Sequence, residues 1–273
     1  AARKSFAALE AGLYFENYVQ LQLAKIDSLE GKTDEALGRL DAFDETEISF
    51  LEGLLTRARV LDAANRQAEA IDALEASIVK NDRLTLGPVG AYLDTLKAGK
   101  RLPVIDAKGE AARALTEPAF GYFARNRSLD GAEVFLRLAQ WIDPSYTKSA
   151  LWLSSLLEDR DDAGQQEAFD FYKAVGVSDP YYVSAQLQVA QIYFSREDDE
   201  KAIQTLEALN EREQSVLTRE SLGRARFFRE NYEEALPFYV ELVNSMTDEE
   251  ITANIEPLRF RGIIYERLDR WPE

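Results

Sequence analysis

Apolar side chains recur every three to four residues along most of this sequence, in stretches that short polar segments separate. Such a period places the apolar side chains on one face of an α-helix. The stretch from Ala202 to Leu209 is an example. The polar segments at 30–34 and 196–199 are short enough to form tight turns between antiparallel helices. The pattern therefore predicts an all-α protein made of helix pairs.

Small residues show that these helix pairs form a repeat. The segments 24–36 and 58–70 both begin and end with alanine, and the second follows the first by 34 positions. The segments 190–202 and 223–235 are related in the same way by 33 positions. A small residue on each of two antiparallel helices lets their backbones approach closely. We expect six second helices, each anchored by one alanine: Ala36, Ala70, Ala132, Ala168, Ala202 and Ala235.

This arrangement resembles the tetratricopeptide repeat, a helix–turn–helix unit of 34 residues. The intervals 132–144 and 168–180 run from alanine to proline as that motif does, and Tyr193 and Tyr265 stand at its aromatic position. The resemblance implies an all-α solenoid of about six or seven helix pairs stacked in a right-handed superhelix. Residues 102–273 are also similar to the middle of long tetratricopeptide proteins of α-proteobacteria. This second resemblance implies a bacterial protein of the cell envelope or periplasm, with a cytoplasmic location as the alternative.

The repeat is irregular in the middle of the chain. Pro103 follows a glycine-containing segment that opposes helix continuation, and Pro118 is expected to end or bend a helix. A degenerate repeat or hinge explains the irregularity, and a domain boundary is the alternative. The segment 261–273 matches only the first helix and turn of a repeat, so we expect a longer natural protein. We predict an N-terminal array at 1–81, the degenerate repeat or hinge at 82–128, and a second array at 129–273.

The composition narrows the chemistry that the chain can perform. It contains no His and no Cys, which removes the usual general base, the thiolate nucleophile and the commonest transition-metal ligands. The net charge of −17 disfavours nucleic acids and anionic membranes as partners. The acidic run at 158–162 lacks the ligand spacing of a calcium loop and is typical of a solvated turn. We therefore predict a non-catalytic protein without cofactor or metal; an enzyme with a helical toroid fold and a buried glutamate is the alternative.

The resemblance also implies which side chains face the concave side of the solenoid. Three of the four residues at one inward position are basic, which favours a partner protein or peptide with an acidic or C-terminal carboxylate segment. We therefore predict an interaction scaffold. A structural or assembly component, acting as a spacer or by self-association, is the alternative, and the cations could also be ordinary surface charges. The candidate partner-binding residues are Tyr18, Lys25, Arg59, Gln191, Phe194, Arg224 and Phe227.

Overall fold

The computed structural model describes residues 16–41, 50–81, 87–126, 129–213, 215–247, 251–252 and 254–270. Across these ranges the regular secondary structure is α-helical, as the sequence predicts, and fourteen helices have defined bounds. They are α1 (Glu16–Leu29), α2 (Thr33–Leu40), α3 (Phe50–Ala63), α4 (Gln67–Lys80), α5 (Pro88–Lys97), α6 (Ala107–Asn126), α7 (Leu129–Ile142), α8 (Thr147–Leu157), α9 (Asp162–Ala174), α10 (Tyr182–Ser195), α11 (Asp199–Glu213), α12 (Val216–Phe228), α13 (Tyr232–Ser245) and α14 (Glu256–Arg267).

The chain divides into two compact units, Ala1–Tyr182 and Val183–Glu273, which we call unit 1 and unit 2. Each unit contains antiparallel helix pairs joined by short turns. The segment bounds that the sequence suggests, 1–81, 82–128 and 129–273, follow the repeat pattern rather than this division, and they stay a prediction.

Five of the turns that follow helices share one backbone geometry. After α1, α3, α10, α12 and α14, the third residue beyond the helix donates its N–H to the carbonyl five positions earlier, at 2.8–3.0 Å. This bond closes the helix in a Schellman motif, which requires a left-handed residue just before the donor. These residues have φ between 54° and 75°: Gly31, Asn65, Glu197, Glu230 and Asp269. The turns at Gly31 and Asn65 lie 34 residues apart and those at Glu197 and Glu230 lie 33 apart, so the structure confirms the tetratricopeptide-like register.

The small residues are buried where the helices of a pair approach each other. All six alanines that anchor the second helices are at most 2% exposed. In the pair α12 and α13, a Cβ atom on Gly223 would lie only 2.9 Å from the Cβ atom of Phe238. Glycine therefore permits an approach that alanine would obstruct. The predicted reason for the small residues, close packing within each pair, is confirmed.

The irregular middle of the chain belongs to the same core as the first repeats. Helix α5 packs against α4, and its buried Val89, Leu93 and Leu96 join the core cluster of α1–α4. Helix α6 continues through Pro118 to Asn126, so of the two expected effects of this proline the helix end is wrong and the bend stays a prediction. Helix α6 packs against α7, and it includes the proline despite the backbone hydrogen bond that proline lacks.

Candidate functional site

In unit 1, helix α6 contacts side chains that the sequence assigns to the concave side of the first repeats. The Tyr18 hydroxyl donates a hydrogen bond of 3.2 Å to the carbonyl oxygen of Ala114. Lys25 Nζ lies 2.8 Å from Glu110 Oε2. Ala114 and Glu110 are one helical turn apart, so a single face of α6 contacts both residues of α1. Two of the predicted partner-binding residues thus contact the chain itself.

A buried charge cluster joins α6 to two further helices. It consists of Glu52 on α3, Arg113 and Glu117 on α6, and Lys148 on α8. Lys148 Nζ donates to Glu52 Oε1 at 2.9 Å and to Glu117 Oε1 at 2.8 Å. A guanidinium nitrogen of Arg113 lies 3.8 Å from the other oxygen of Glu52. The side chains of Glu52 and Lys148 are only 1% and 6% exposed, so these ion pairs form away from water.

The two carboxyl groups of the cluster have opposite pKa shifts. Burial acts to raise the pKa of Glu52, but Lys148, Arg113 and Arg59 overcome it and lower that pKa to about 2. Burial raises the pKa of Glu117, and the nearby charge of Glu52 adds to this effect while Lys148 opposes it. For Lys148, burial lowers the pKa but the two glutamates raise it more strongly. Glu52 and Lys148 are therefore held ionised, and Glu117 is the member that most readily takes up a proton.

A cavity of about 600 Å³ opens at the C-terminal ends of α1 and α3. We call it the α1–α3 groove. Helices α1 and α3 form two of its walls. The segment 101–105, which connects α5 to α6, forms the third. The volume lies within the usual range for sites that bind ligands or side chains of a partner. Glu117 does not line this groove, so the carboxyl group with the raised pKa lies elsewhere.

Hydrogen bonds hold the wall segment against α3. The Leu102 N–H donates to Asp62 Oδ2 at 2.9 Å, and Arg101 Nε lies 3.4 Å from Asp62 Oδ1. Leu102 and Asp62 are both buried. Val104, two residues further along the wall, is 96% exposed, and Leu29 on the opposite wall is 89% exposed. The groove therefore has a fixed wall and an apolar rim that faces water.

The groove contains two of the cations that the sequence suggests, Lys25 and Arg59. Lys25 is paired with Glu110. The guanidinium of Arg59 lies 2.9 Å from the Thr56 hydroxyl oxygen and 3.4 Å from the Tyr92 hydroxyl. Arg59 therefore contacts two hydroxyl groups, whereas the charge of Lys25 is compensated at short range.

The other predicted partner-binding residues lie in unit 2. Gln191 is exposed, and Phe194 packs in part against the core cluster around Ala190. Arg224 is exposed and pairs with Glu220 at 2.9 Å, one turn earlier on α12. Phe227 packs against Phe260, with ring centroids 4.6 Å apart, and so contributes to the core of unit 2. In unit 2 these residues are distributed over α10 and α12. In unit 1, by contrast, Tyr18 and Lys25 both contact α6, and Lys25 and Arg59 both line the groove.

Sequence reasoning missed the wall segment and the buried charge cluster. One signal for the wall was present, because the residues from Leu102 to Ile105 form an apolar run between two helices, where a connecting segment is usually polar. The cluster has no such signal, since Glu52 and Lys148 are 96 positions apart.

Comparisons with known proteins found matches among solved structures. No protein-family model matches the chain, and no curated protein matches it. A tetratricopeptide repeat protein from Parabacteroides merdae ATCC 43184 is 15% identical, over 80% of this chain and 73% of that chain, with a TM-score of 0.45. A structure of Naa15/Naa10 bound to HypK-THB is 14% identical, over 98% of this chain and 49% of that chain, with a TM-score of 0.42. The tetratricopeptide domain of P58(IPK) is 16% identical, over 98% of this chain and 84% of that chain, with a TM-score of 0.26. All three TM-scores are below 0.5, so these likenesses carry no argument about this chain.

Neither a membrane span nor a metal site is found in the part of the chain that the structure describes. No helix in it has both the length and the apolar character needed to span a membrane. Within the same residues, no group of three or more acidic side chains is arranged to hold a metal ion.

Proposed function

We propose that this protein is a non-catalytic interaction scaffold that binds a segment of a partner protein in the α1–α3 groove. The observation that carries the proposal is the pair of aliphatic side chains at the groove rim, Leu29 and Val104, which are almost fully exposed. Exposed apolar groups beside a cavity of about 600 Å³ are typical of a binding surface, because water hydrates them poorly.

The partner chemistry that the sequence suggests, an acidic or C-terminal carboxylate segment, would find three cations on the lining of this groove: Lys25, Arg59 and Arg101. Such a carboxylate would meet Arg59, which contacts two hydroxyl groups. Lys25 is less accessible to it because Glu110 already lies 2.8 Å away. A location in the bacterial cell envelope is part of the same proposal, and it rests on the resemblance of residues 102–273.

Site-specific photo-crosslinking tests the proposed function. A photoreactive phenylalanine is placed at Val104 or at Leu29 in the full chain, in cells that produce the natural protein. The matched control carries it at Val79, which is 87% exposed but lies on α4 outside the groove. We expect the two groove positions to crosslink the same protein and the control position to leave it uncrosslinked. Equal crosslinking from all three positions, or none from the groove, contradicts the proposal.

A structural or assembly role is the second candidate, and one surface feature favours it. Val134, Leu138 and Trp141 form a stripe along one face of α7, and they are 58%, 44% and 81% exposed. A stripe of this kind suits self-association. Sedimentation at rising protein concentration tests this role: a dimer that Trp141→Glu abolishes supports it, and a monomer at all concentrations contradicts it.

A further inference from the structure

We infer that the α1–α3 groove recognises an uncharged, apolar segment of its partner, with the wall segment 101–105 as the recognition surface. The inference rests on the proposed function and goes further, because it names the chemistry of the bound segment. Two features of the groove support it, the ion pairs on its lining and its apolar rim. The third supporting feature is the net charge of the whole chain.

Four of the five charged groups that line the groove are paired with one another, and the fifth, Arg59, contacts hydroxyl groups. Lys25 Nζ contacts Glu110 at 2.8 Å, and Asp62 accepts the Leu102 N–H at 2.9 Å while Arg101 lies 3.4 Å away. A partner carboxylate that bound Lys25 would have to displace Glu110 and leave that group without its cation. Exchanging one ion pair for another in a partly buried site gains little. Charge pairing therefore gives an acidic segment no clear advantage at Lys25.

The apolar rim, in contrast, has no covering group among the residues that the structure describes. Val104 and Leu29 project from opposite walls, and Ile26, Val60 and Ile105 line the cavity between them. Covering these side chains with those of a partner removes apolar surface from water, which is the main driving force of association. A segment that carries aliphatic or aromatic side chains fits this lining.

The net charge of the chain disfavours two possible occupants of the groove, a second copy of the chain and an acidic segment of a partner. With a charge of −17, two copies of the chain repel each other, and so does an acidic partner segment as it approaches. An uncharged segment is not subject to this repulsion. We therefore assign the groove to an apolar segment of a different protein.

Selection from a random peptide library tests the inference. The probe is a phage-displayed library of peptides of about a dozen residues, selected on the intact chain, and affinities of the selected peptides are measured by fluorescence anisotropy. We expect enrichment of aliphatic and aromatic residues without enrichment of Asp or Glu. Val104→Asp should weaken binding at least about tenfold, because it places a charge against the apolar segment. Raising the salt concentration from about 0.05 M to about 0.5 M should change the affinity less than about twofold.

Two controls keep the result interpretable. Val79→Asp places the same charge on an equally exposed valine outside the groove and should leave the affinity unchanged. Leu29→Asp tests the opposite wall, so that the conclusion does not depend on the folding of one variant; circular dichroism confirms that each variant is folded. Lys25→Gln should weaken binding less than about threefold, since the lysine is already paired with Glu110.

The remaining outcomes separate the inference from the proposed function. If acidic peptides are enriched and Arg59→Gln or high salt abolishes their binding, the groove is a binding site but the inference is overturned. If Val104→Asp abolishes self-association of the chain, the groove belongs to a second copy, which also overturns the inference. If no selected peptide responds to Val104→Asp or Leu29→Asp, the proposed function of the groove itself is overturned.

Discussion

Unit 1 and unit 2 use the same helix pair and the same turn, yet different side chains meet between their helices. In unit 1, Lys148 on α8 contacts Glu52 on α3 and Glu117 on α6. In unit 2, the rings of Phe227 on α12, Tyr239 on α13 and Phe260 on α14 are in mutual contact, with centroids 4.6–6.3 Å apart. One unit thus joins three helices through ionised groups and the other through aromatic rings.

The difference shows that the same helix-pair architecture can fix the positions of its helices by two kinds of side-chain contact. Aromatic rings pack in several mutual orientations, so an aromatic core tolerates small displacements of its helices. A buried ion pair is different, because each charge is costly away from its partner. The charge cluster therefore restricts where α6 can lie relative to α3 and α8. Since Glu110 of the same helix pairs with Lys25 in the α1–α3 groove, the cluster also helps to position one edge of the candidate binding site.

The largest expected effect comes from removing the shared cation of the charge cluster. Lys148→Met keeps a similar side-chain volume but leaves two glutamates buried without their lysine. We expect the free energy of unfolding to fall by roughly 3–5 kcal/mol. Urea unfolding of the full chain measures this, and hydrogen exchange should show the loss of protection in unit 1.

Two further variants sharpen this experiment. Lys97→Met removes an exposed lysine of unit 1 that pairs with Glu75, and we expect a loss of about 1 kcal/mol or less. Replacing Glu52, Glu117 and Lys148 together by methionine should recover part of the stability, because three buried charges are removed together and only Arg113 loses its carboxylate partner. If Lys148→Met unfolds no more easily than Lys97→Met, the cluster does not stabilise unit 1.

The corresponding truncation in unit 2 is Phe260→Ala. Phe260 is buried and contacts three other rings, so the variant loses apolar contacts and leaves a cavity. We expect a loss of about 3 kcal/mol, and Phe260→Leu, which fills most of the space, should lose about 1 kcal/mol. Equal losses of stability for Phe260→Ala and Phe260→Leu would contradict this expectation. They would show that the geometry of the ring contacts matters more than the volume that the side chain fills.

The sequence was sufficient to predict the helix pairs because their signals are local. The small residues, the polar turns and the apolar period all lie within one repeat of 34 residues, and each has a direct mechanical meaning. The repeat register also indicated that Lys25 and Arg59 face one side of the first repeats, where the structure places them in the groove. The break near Pro103 was visible as well, although the sequence could not show that the segment after it forms a wall.

The features that the sequence did not predict, the groove wall and the charge cluster, depend on contacts between residues far apart in the chain. The wall of the groove is fixed by a bond from Leu102 to Asp62, 40 positions apart. The charge cluster pairs Glu52 with Lys148 over 96 positions. Among 49 acidic and 32 basic residues, no spacing marks one such pair before the helices are placed. Long-range pairing of common residue types is therefore the information that a single sequence does not reveal.

The two glutamates of the cluster should respond to pH in opposite directions. The pKa of Glu52 is lowered from 4.5 to about 2, so its stabilising effect is present above pH 4.5 and is lost as the pH falls towards 2. The pKa of Glu117 is raised above 4.5, so its contribution is fully present below pH 4.5 and is lost as the pH rises through the raised pKa. At pH 7 we expect Glu52→Gln to cost about 3 kcal/mol and Glu117→Gln about 1 kcal/mol.

Unfolding of the parent chain and both variants between pH 7 and pH 4 measures these differences. The stability difference between the parent and Glu117→Gln should grow as the pH falls, and the difference between the parent and Glu52→Gln should not grow. If the two stability differences changed with pH in the same way, the two glutamates would share Lys148 equally.

The smallest expected effect comes from a hydroxyl group inside the aromatic core. The Tyr239 hydroxyl is buried and has no hydrogen-bond partner among the described residues, whereas the Tyr172 hydroxyl of unit 1 donates to Glu158 at 2.5 Å. Removing an unsatisfied polar group loses no bond, so Tyr239→Phe should change the free energy of unfolding by less than about 0.5 kcal/mol. Tyr172→Phe removes a bond to a charged acceptor and should cost about 1–2 kcal/mol. Urea unfolding compares the two variants directly. A loss from Tyr239→Phe as large as that from Tyr172→Phe would show that the core of unit 2 also depends on a polar contact, and the contrast between the units would then be one of degree.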